Sequence, residues 1–294
     1  MYDRFYGFSS RPFALTPDPA FLFLSPQHSM ALTLLEYGLE SQAAFALLTG
    51  DIGSGKTTLL RYLIRSVGDS AAVGLVSNTH SGFQSVYPWV AQSLGVAAVE
   101  RSDSVLYGAI VDCLVREYAR GRRTLLIIDE AQNLSLPLLE ELRLLSNVNS
   151  EKDLVLQILL VGQPELRLSL LRTELRQLAQ RISVDFHLKP LAEHETAAYV
   201  RHRVSAAGVT ADLFDAQSLS LVHAHTGGVP RLINQLCDVA LVYGYADGYR
   251  LITAEIVLKV LSDRAAADAL PVFAGSVPAP AARAPAVRRP RATQ

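Results

Sequence analysis

The sequence has little of what marks secreted, membrane or strongly charged proteins. Only two of its 294 residues are cysteines, Cys113 and Cys237, and without CxxC spacing they exclude a disulfide framework. No apolar run is long enough to span a membrane, and the first residues lack the basic and apolar segments of a signal peptide. The net charge of −1 does not point to nucleic acid or to an acidic surface. We expect a cytoplasmic protein in a reducing compartment.

What the sequence does have is a large apolar content arranged in short alternating segments. Half of its residues are hydrophobic, which is enough for a large core. Apolar strands are predicted within 44–50, 71–78, 124–132, 153–166 and 181–191, with helices between them, one of them over 166–178. Strands that are apolar throughout and alternate with helices predict an α/β fold whose parallel five-stranded sheet is covered by helices on both faces.

The chain divides into four segments. Residues 1–29, rich in aromatic residues and proline, predict an ordered arm, non-helical over Pro12–His28. Residues 30–190 form the α/β domain, and residues 191–264, with four helical segments, form a small all-helical domain. Residues 265–294 contain mainly alanine, proline and arginine with a balance of +3, which leaves −4 for residues 1–264, and we expect this tail to be disordered.

A glycine-rich loop follows the first strand, and its sequence GDIGSGKT matches G-x-x-x-x-G-K-[ST] in full. Such glycines let successive main-chain N–H groups point at one phosphate, and the helix that begins at Lys56 adds the positive end of its dipole. The pattern predicts that Lys56 reaches the β- and γ-phosphates and that the Thr57 hydroxyl binds Mg²⁺. The predicted nucleotide-binding residues are Gly50, Asp51, Ile52, Gly53, Ser54, Gly55, Lys56, Thr57 and Thr58.

Two carboxylates end the third strand, in the sequence LLIIDE. Asp129 is the expected second protein ligand of the Mg²⁺ held by Thr57. Glu130 follows on the other side of the strand end, where it can polarise an attacking water. The acidic pair therefore predicts a hydrolase, with Mg-ATP as substrate and cofactor.

Three further polar positions are candidates for sensing the nucleotide. Gln163 ends the fourth strand and is expected beside the third, within reach of the γ-phosphate and the water. Arg231 begins a helix after a glycine turn, where it can reach the γ-phosphate. Arg181, with Arg176 as the second choice, lies on an edge away from the chain's own phosphate site and is predicted to complete the site of a neighbouring subunit.

Together these motifs resemble those of AAA+ P-loop ATPases, with Walker A at Gly50–Thr57, Walker B at Leu125–Glu130 and a second sensor in GGVPRLIN. More narrowly, the opening residues and the segments VGLVSNTH, RRTLLIIDEAQNL, LLVGQPEL and QRISVDFHLKPL resemble the ExeA/GspA-type secretion ATPases. Within that group the chain is similar to the ATPases of exosortase (PEP-CTERM) systems. The resemblance implies an AAA+ fold in which the helical domain is a lid, and a homo-oligomer in the ATP state.

The resemblance also implies a function. It predicts an ATPase that drives assembly or regulation of an envelope export, exopolysaccharide or protein-sorting system, placed at the inner membrane through protein partners. The alternative is a DNA-dependent transposition regulator of the TniB/MuB kind, which would need a basic stripe that tracks DNA. A third interpretation, a nucleotide-gated adaptor with slow turnover, is less favoured because Asp129 and Glu130 are both present.

Overall fold

The computed structural model describes residues 1–16, 18–41, 43–77, 79, 82, 84–97, 102–149 and 153–266. Its five strands are β1 (Phe45–Gly50), β2 (Ala71–Val76), β3 (Arg123–Ile128), β4 (Leu156–Gly162) and β5 (Ile182–Leu188). They pair in parallel in the order β2-β3-β4-β1-β5. The predicted five-stranded parallel sheet is confirmed. This order places β1 between β4 and β5, and β4 beside β3.

Helices surround the sheet and continue beyond it. In the first part of the chain they are α1 (Asp3–Tyr6), α2 (Pro26–Glu40), α3 (Lys56–Val67), α4 (Tyr87–Ser93), α5 (Asp103–Ala119), α6 (Leu136–Leu145), α7 (Pro164–Leu170) and α8 (Arg176–Ala179). In the last part they are α9 (Glu193–Ala206), α10 (Ala216–Thr226), α11 (Pro230–Ala246) and α12 (Ala254–Ala266). Among the described residues, no helix is both long and apolar enough to cross a membrane.

Each face of the sheet is covered by its own helices, because successive side chains of a strand point to opposite faces. Leu126 and Ile128 of β3 pack with residues of α4, α5, α6 and α7. Leu125 and Ile127, which alternate with them, pack with residues of α2 and α3. The prediction of helices on both faces is therefore confirmed.

The four C-terminal helices have a separate core, and the N-terminal arm is part of it. Aromatic side chains of the arm are buried there among residues of α9, α10, α11 and α12: Tyr2, Tyr6, Phe8, Phe13 and Phe21. Arg203 of α9 fastens the arm, because its guanidinium donates to the carbonyl oxygens of Pro12 (2.5 Å) and Ala14 (3.1 Å). The arm and the helical domain are thus packed as one unit.

The structure corrects several boundaries. Helix α2 begins at Pro26, within the segment predicted to be non-helical, because Ser25 caps it and proline suits a first turn. The domain boundary placed before residue 30 therefore falls inside α2, and the one after residue 264 falls inside α12. The single helix predicted over 166–178 is interrupted, since Arg172 has extended backbone, and α4 was not predicted. Residues 267–294 of the expected tail lie outside the described residues.

Candidate nucleotide site

The glycine loop joins β1 to α3 at the carboxyl edge of the sheet, as predicted. Two of its glycines have left-handed backbone, with φ of 81° at Gly53 and 104° at Gly55. A Cβ atom on Gly53 would also lie 2.4 Å from the Cβ of Arg231. Glycine is therefore required at Gly53 both by its conformation and by the close approach of α11.

Lys56 lies across the inside of this loop. Its Nζ donates to the carbonyl oxygens of Gly50 (2.7 Å) and Asp51 (2.9 Å), and the side chain is buried. Burial lowers the pKa of Lys56, while the negative charges of Glu130 and Asp129 act in the opposite direction. The ammonium is therefore held at the loop and close to both carboxylates, as a phosphate-binding lysine must be.

His28 is a neighbour of the loop that sequence patterns did not reveal. It lies in the first turn of α2 with its Nε2 3.1 Å from the carbonyl oxygen of Ser54 and its Nδ1 2.7 Å from the hydroxyl of Ser25. Burial lowers the pKa of His28. A neutral ring that donates from Nε2 and accepts at Nδ1 satisfies both contacts, and it supports the loop from behind.

The two carboxylates follow β3 directly. Asp129 is 7% exposed; burial raises its pKa, and the main-chain N–H of Glu130, which donates to its Oδ1 at 2.9 Å, lowers it in part. Glu130 has φ 53°, and among the described residues it is the one non-glycine residue with a positive φ. The hydroxyl of Thr79 lies 3.0 Å from the carbonyl oxygen of Asp129 and 2.7 Å from that of Glu130. This contact supports the unusual backbone.

Gln163 lies beside these carboxylates, as its place at the end of β4 predicts. Its Nε2 is 3.3 Å from Oε2 of Glu130. A second amide, that of Gln132, is closer, since its Nε2 donates to the same oxygen at 2.6 Å. Gln132 also accepts the main-chain N–H of Gln163 at 3.0 Å. Sequence reasoning missed Gln132, although it follows Glu130 by only two residues.

The loop opens into a cleft of about 340 Å³ between the sheet and the unit formed by the arm and the helical domain. Of the predicted nucleotide residues and carboxylates, those in its lining are Ile52, Gly53, Gly55, Lys56, Thr57, Thr58 and Glu130. Residues of the arm that line the cleft include Ala14, Phe21 and Phe23. The helical domain contributes residues of α9 and α11, among them Arg231 and Asn234. The cleft therefore has a phosphate-binding end at the loop and a more apolar end between the arm and α9.

Arg231 lies over the loop from the opposite side. Its main-chain N–H donates to the carbonyl oxygen of Gly53 at 3.2 Å, and its side chain lines the cleft. Asn234 follows one turn later in α11, and its Oδ1 accepts the hydroxyl of Tyr199 at 2.9 Å. The start of α11 therefore closes over the phosphate-binding end of the cleft.

The two candidate trans-acting arginines differ in their surroundings. Arg181 is half-buried and donates to the hydroxyl of Ser146 at 2.7 Å, so it is engaged within its own chain. Arg176 is exposed at the start of α8. Neither lines the cleft of its own chain as far as the described residues go. Of the two, Arg176 is the more available to a second subunit.

The donor set fits Mg²⁺ bound together with a nucleotide. In the part of the chain that the structure describes, no group of three or more His, Cys, Asp or Glu side chains could hold a metal by itself. The Thr57 hydroxyl and the buried carboxylate of Asp129 are hard oxygen donors of the kind that Mg²⁺ takes beside phosphate oxygens and water. The glycines of the loop allow its main-chain N–H groups to approach a phosphate closely.

Comparison with known structures decides the fold. The model overlaps ORC2 of Aeropyrum pernix (TM-score 0.64, 18% identity, 87% of this chain and 72% of that one) and Cdc6p of Pyrobaculum aerophilum (TM-score 0.65, 18% identity, 86% and 70%). The chain has the AAA+ P-loop ATPase fold. A family model described as AAA domain matches residues 39–170, which contain the glycine loop and both carboxylates. In AAA+ terms, the helical domain is the lid.

A curated relative is similar over most of this chain. General secretion pathway protein A of Aeromonas hydrophila is 37% identical over 260 residues, which cover 88% of this chain and 48% of that protein. The chain thus spans about half the length of the curated relative it matches. This similarity supports the predicted likeness to ExeA/GspA-type ATPases, and it extends well beyond the residues matched by the AAA family model.

Proposed function

We propose that the protein binds and hydrolyses Mg-ATP to drive the assembly or regulation of an envelope export, exopolysaccharide or protein-sorting system. One observation carries the hydrolytic part of this proposal. The carboxylate of Glu130 lines the same cleft as Lys56 and the glycine loop, and two amides hold one of its oxygens. The 37% identity with General secretion pathway protein A supports the envelope pathway.

The residues would divide the reaction among them. Main-chain N–H groups of the loop and the Nζ of Lys56 would bind the β- and γ-phosphates, and Thr57 and Asp129 would hold Mg²⁺, which would neutralise charge on the phosphate oxygens. Glu130 accepts a proton from the attacking water, and Gln163 helps to orient that water. Arg231 contacts the γ-phosphate from the lid, so that the lid and the arm respond to its presence.

A second copy of the chain would complete the site. We retain Arg181 and Arg176 as candidates for an arginine that neutralises transition-state charge across a subunit interface. The exposure of Arg176 favours it, because the guanidinium of Arg181 would first have to leave Ser146. ATP binding would then favour an oligomer, and hydrolysis would loosen it.

The ATPase rate per subunit, measured against protein concentration with and without duplex DNA, tests the proposal. We expect a rate that rises with concentration and does not change with DNA. Lys56→Ala should abolish binding of a fluorescent ATP analogue, and Glu130→Gln should bind it normally but turn over about a hundredfold more slowly. Tight binding by Lys56→Ala or full turnover by Glu130→Gln would contradict the site. A rate that stays low until DNA is added would instead favour the transposition-regulator alternative.

A further inference from the structure

Gln132 connects the catalytic carboxylate to the neighbouring strand. It lies in the short 3₁₀ turn Ala131–Asn133, where its Oε1 accepts the main-chain N–H of Gln163 and its Nε2 donates to Oε2 of Glu130 at 2.6 Å. A main-chain N–H can only donate, so the oxygen of the Gln132 amide must face Gln163. Its NH₂ group then faces the carboxylate. The orientation of this amide is therefore set by the main chain of the adjacent strand.

The backbone around this amide is shaped to receive it. A Cβ atom on Gly162, the last residue of β4, would lie 2.7 Å from Oε1 of Gln132, so a side chain there would displace the amide. On the other side, the hydroxyl of Thr79 donates to the carbonyl oxygen of Glu130 and so supports the left-handed backbone of that residue. Both ends of the Glu130–Gln132 pair are thus held by groups from other segments of the chain.

In the part of the chain that the structure describes, the amide contacts of Glu130 leave one carboxylate oxygen for chemistry. Both amide contacts of the Glu130 side chain, from Gln132 and from Gln163, are made to Oε2. Glu130 lines the cleft, whereas Gln132 is absent from the described lining. Among the described residues, Gln132 contacts the candidate catalytic groups through the side chain of Glu130 and the main chain of Gln163. A glutamate has three side-chain torsions, and fixing Oε2 restricts where Oε1 can point.

We propose that Gln132 is a positioning residue that holds the Glu130 carboxylate in the orientation from which it accepts the proton of the attacking water. The inference rests on the proposed ATPase function. Gln132 is not among the described residues that line the cleft, so we expect it to act on turnover and not on ATP affinity. Hydrogen bonds to charged groups are among the stronger ones in proteins, which makes the loss of this one measurable.

Two variants separate the contacts of Gln132. Gln132→Ala removes both hydrogen bonds, and kcat should fall about tenfold while KM and the Kd for ATP stay within about twofold of the wild-type values. Gln132→Glu has the same length and can still accept the N–H of Gln163, but it cannot donate to Glu130 and adds a like charge beside it. We expect kcat of Gln132→Glu to fall at least as far. This variant carries the test if Gln132→Ala does not fold.

A double-mutant cycle shows whether Gln132 acts through Glu130. In the Glu130→Gln background, Gln132→Ala should cause no further loss of turnover, because the carboxylate it positions is gone. Three results would overturn the inference. The first is a wild-type rate in Gln132→Glu, and the second is a further loss of turnover when Gln132→Ala is added to Glu130→Gln. The third is a rise in the Kd of Gln132→Ala for ATP that parallels its loss of turnover. If Lys56→Ala and Glu130→Gln leave turnover unchanged, the proposed function itself fails. If they abolish it while Gln132→Ala does not reduce it, only this inference fails.

Discussion

Two adjacent glycines of the lid allow a matched test of how the lid packs against the segment that leads into it from β5. Gly227 and Gly228 lie in the turn between α10 and α11, and both have left-handed backbone, with φ of 57° and 75°. A Cβ atom on Gly227 would meet nothing within 4 Å, whereas one on Gly228 would lie 1.9 Å from the carbonyl oxygen of Leu191. Leu191 follows β5, and its N–H donates to the carbonyl oxygen of Gly228 at 2.9 Å.

The stabilities of Gly227→Ala and Gly228→Ala should therefore differ only through the contact with Leu191. Left-handed backbone costs an alanine about 1–2 kcal/mol, and both variants share this term. Gly228→Ala must in addition move two main-chain segments apart by about 1 Å and break their hydrogen bond, itself worth about 1 kcal/mol. We expect a loss of about 1–2 kcal/mol for Gly227→Ala and of about 2–3 kcal/mol or more for Gly228→Ala.

The close contact also affects the site, because Arg231 follows Gly228 by three residues and its main chain is bonded to Gly53. Displacement of the turn should move Arg231 away from the loop and weaken binding of a fluorescent ATP analogue at least about tenfold. Gly227→Ala should bind the analogue normally. Urea unfolding followed by circular dichroism, together with the binding titration, measures both effects. Equal midpoints and equal affinities in the two variants would refute the reasoning.

The arm and the loop support give two further predictions. Arg203→Met removes the donors to the carbonyl oxygens of Pro12 and Ala14. It should therefore destabilise the protein by about 2–3 kcal/mol and speed proteolysis of the arm. An unchanged urea midpoint would argue against a stabilising role for these hydrogen bonds. Burial holds the pKa of His28 below its ordinary value of about 6.5. As pH falls below about 6.5, this histidine therefore takes up a proton in the unfolded chain before it does so in the folded protein. The contribution of neutral His28 to stability is thus present above this pH and declines below it. His28→Gln, which keeps a donor for Ser54, should flatten this decline in urea midpoints measured from pH 7.5 to 5, and identical slopes would contradict the assignment.

Much of the fold could be predicted because its signals are local. Apolar strands alternating with helices predicted the parallel sheet, and the four lid helices were located from periodicity and glycine turns. The predicted helix over 166–178 was wrong in the middle, where Arg172 is extended while Leu175 and Leu178 still pack in the core. Hydrophobic spacing does not record a single extended residue between two helical turns.

Some residues of the candidate site could likewise be predicted from local motifs, and others could not. The loop and the acid pair stand in continuous motifs, and the structure brings Lys56, Asp129 and Glu130 together as those motifs predict. Gln163 was placed correctly because the carboxyl ends of neighbouring parallel strands meet. The support of these groups by His28 was not predictable, because no spacing relates it to the loop residue that it contacts.

The sequence by itself determined the order of the elements, the class of the sheet and the places of the glycine loop and the acid pair, because periodicity and motif spacing act over a few residues. Only the tertiary structure decided that the arm is built into the lid, since the tie from Pro12 to Arg203 joins positions 191 residues apart. It likewise decided that the amide of Gln132 faces Glu130, because the main-chain N–H of Gln163, directly after β4, sets its orientation. Such contacts depend on which surfaces pack together, and that is settled when the whole core closes.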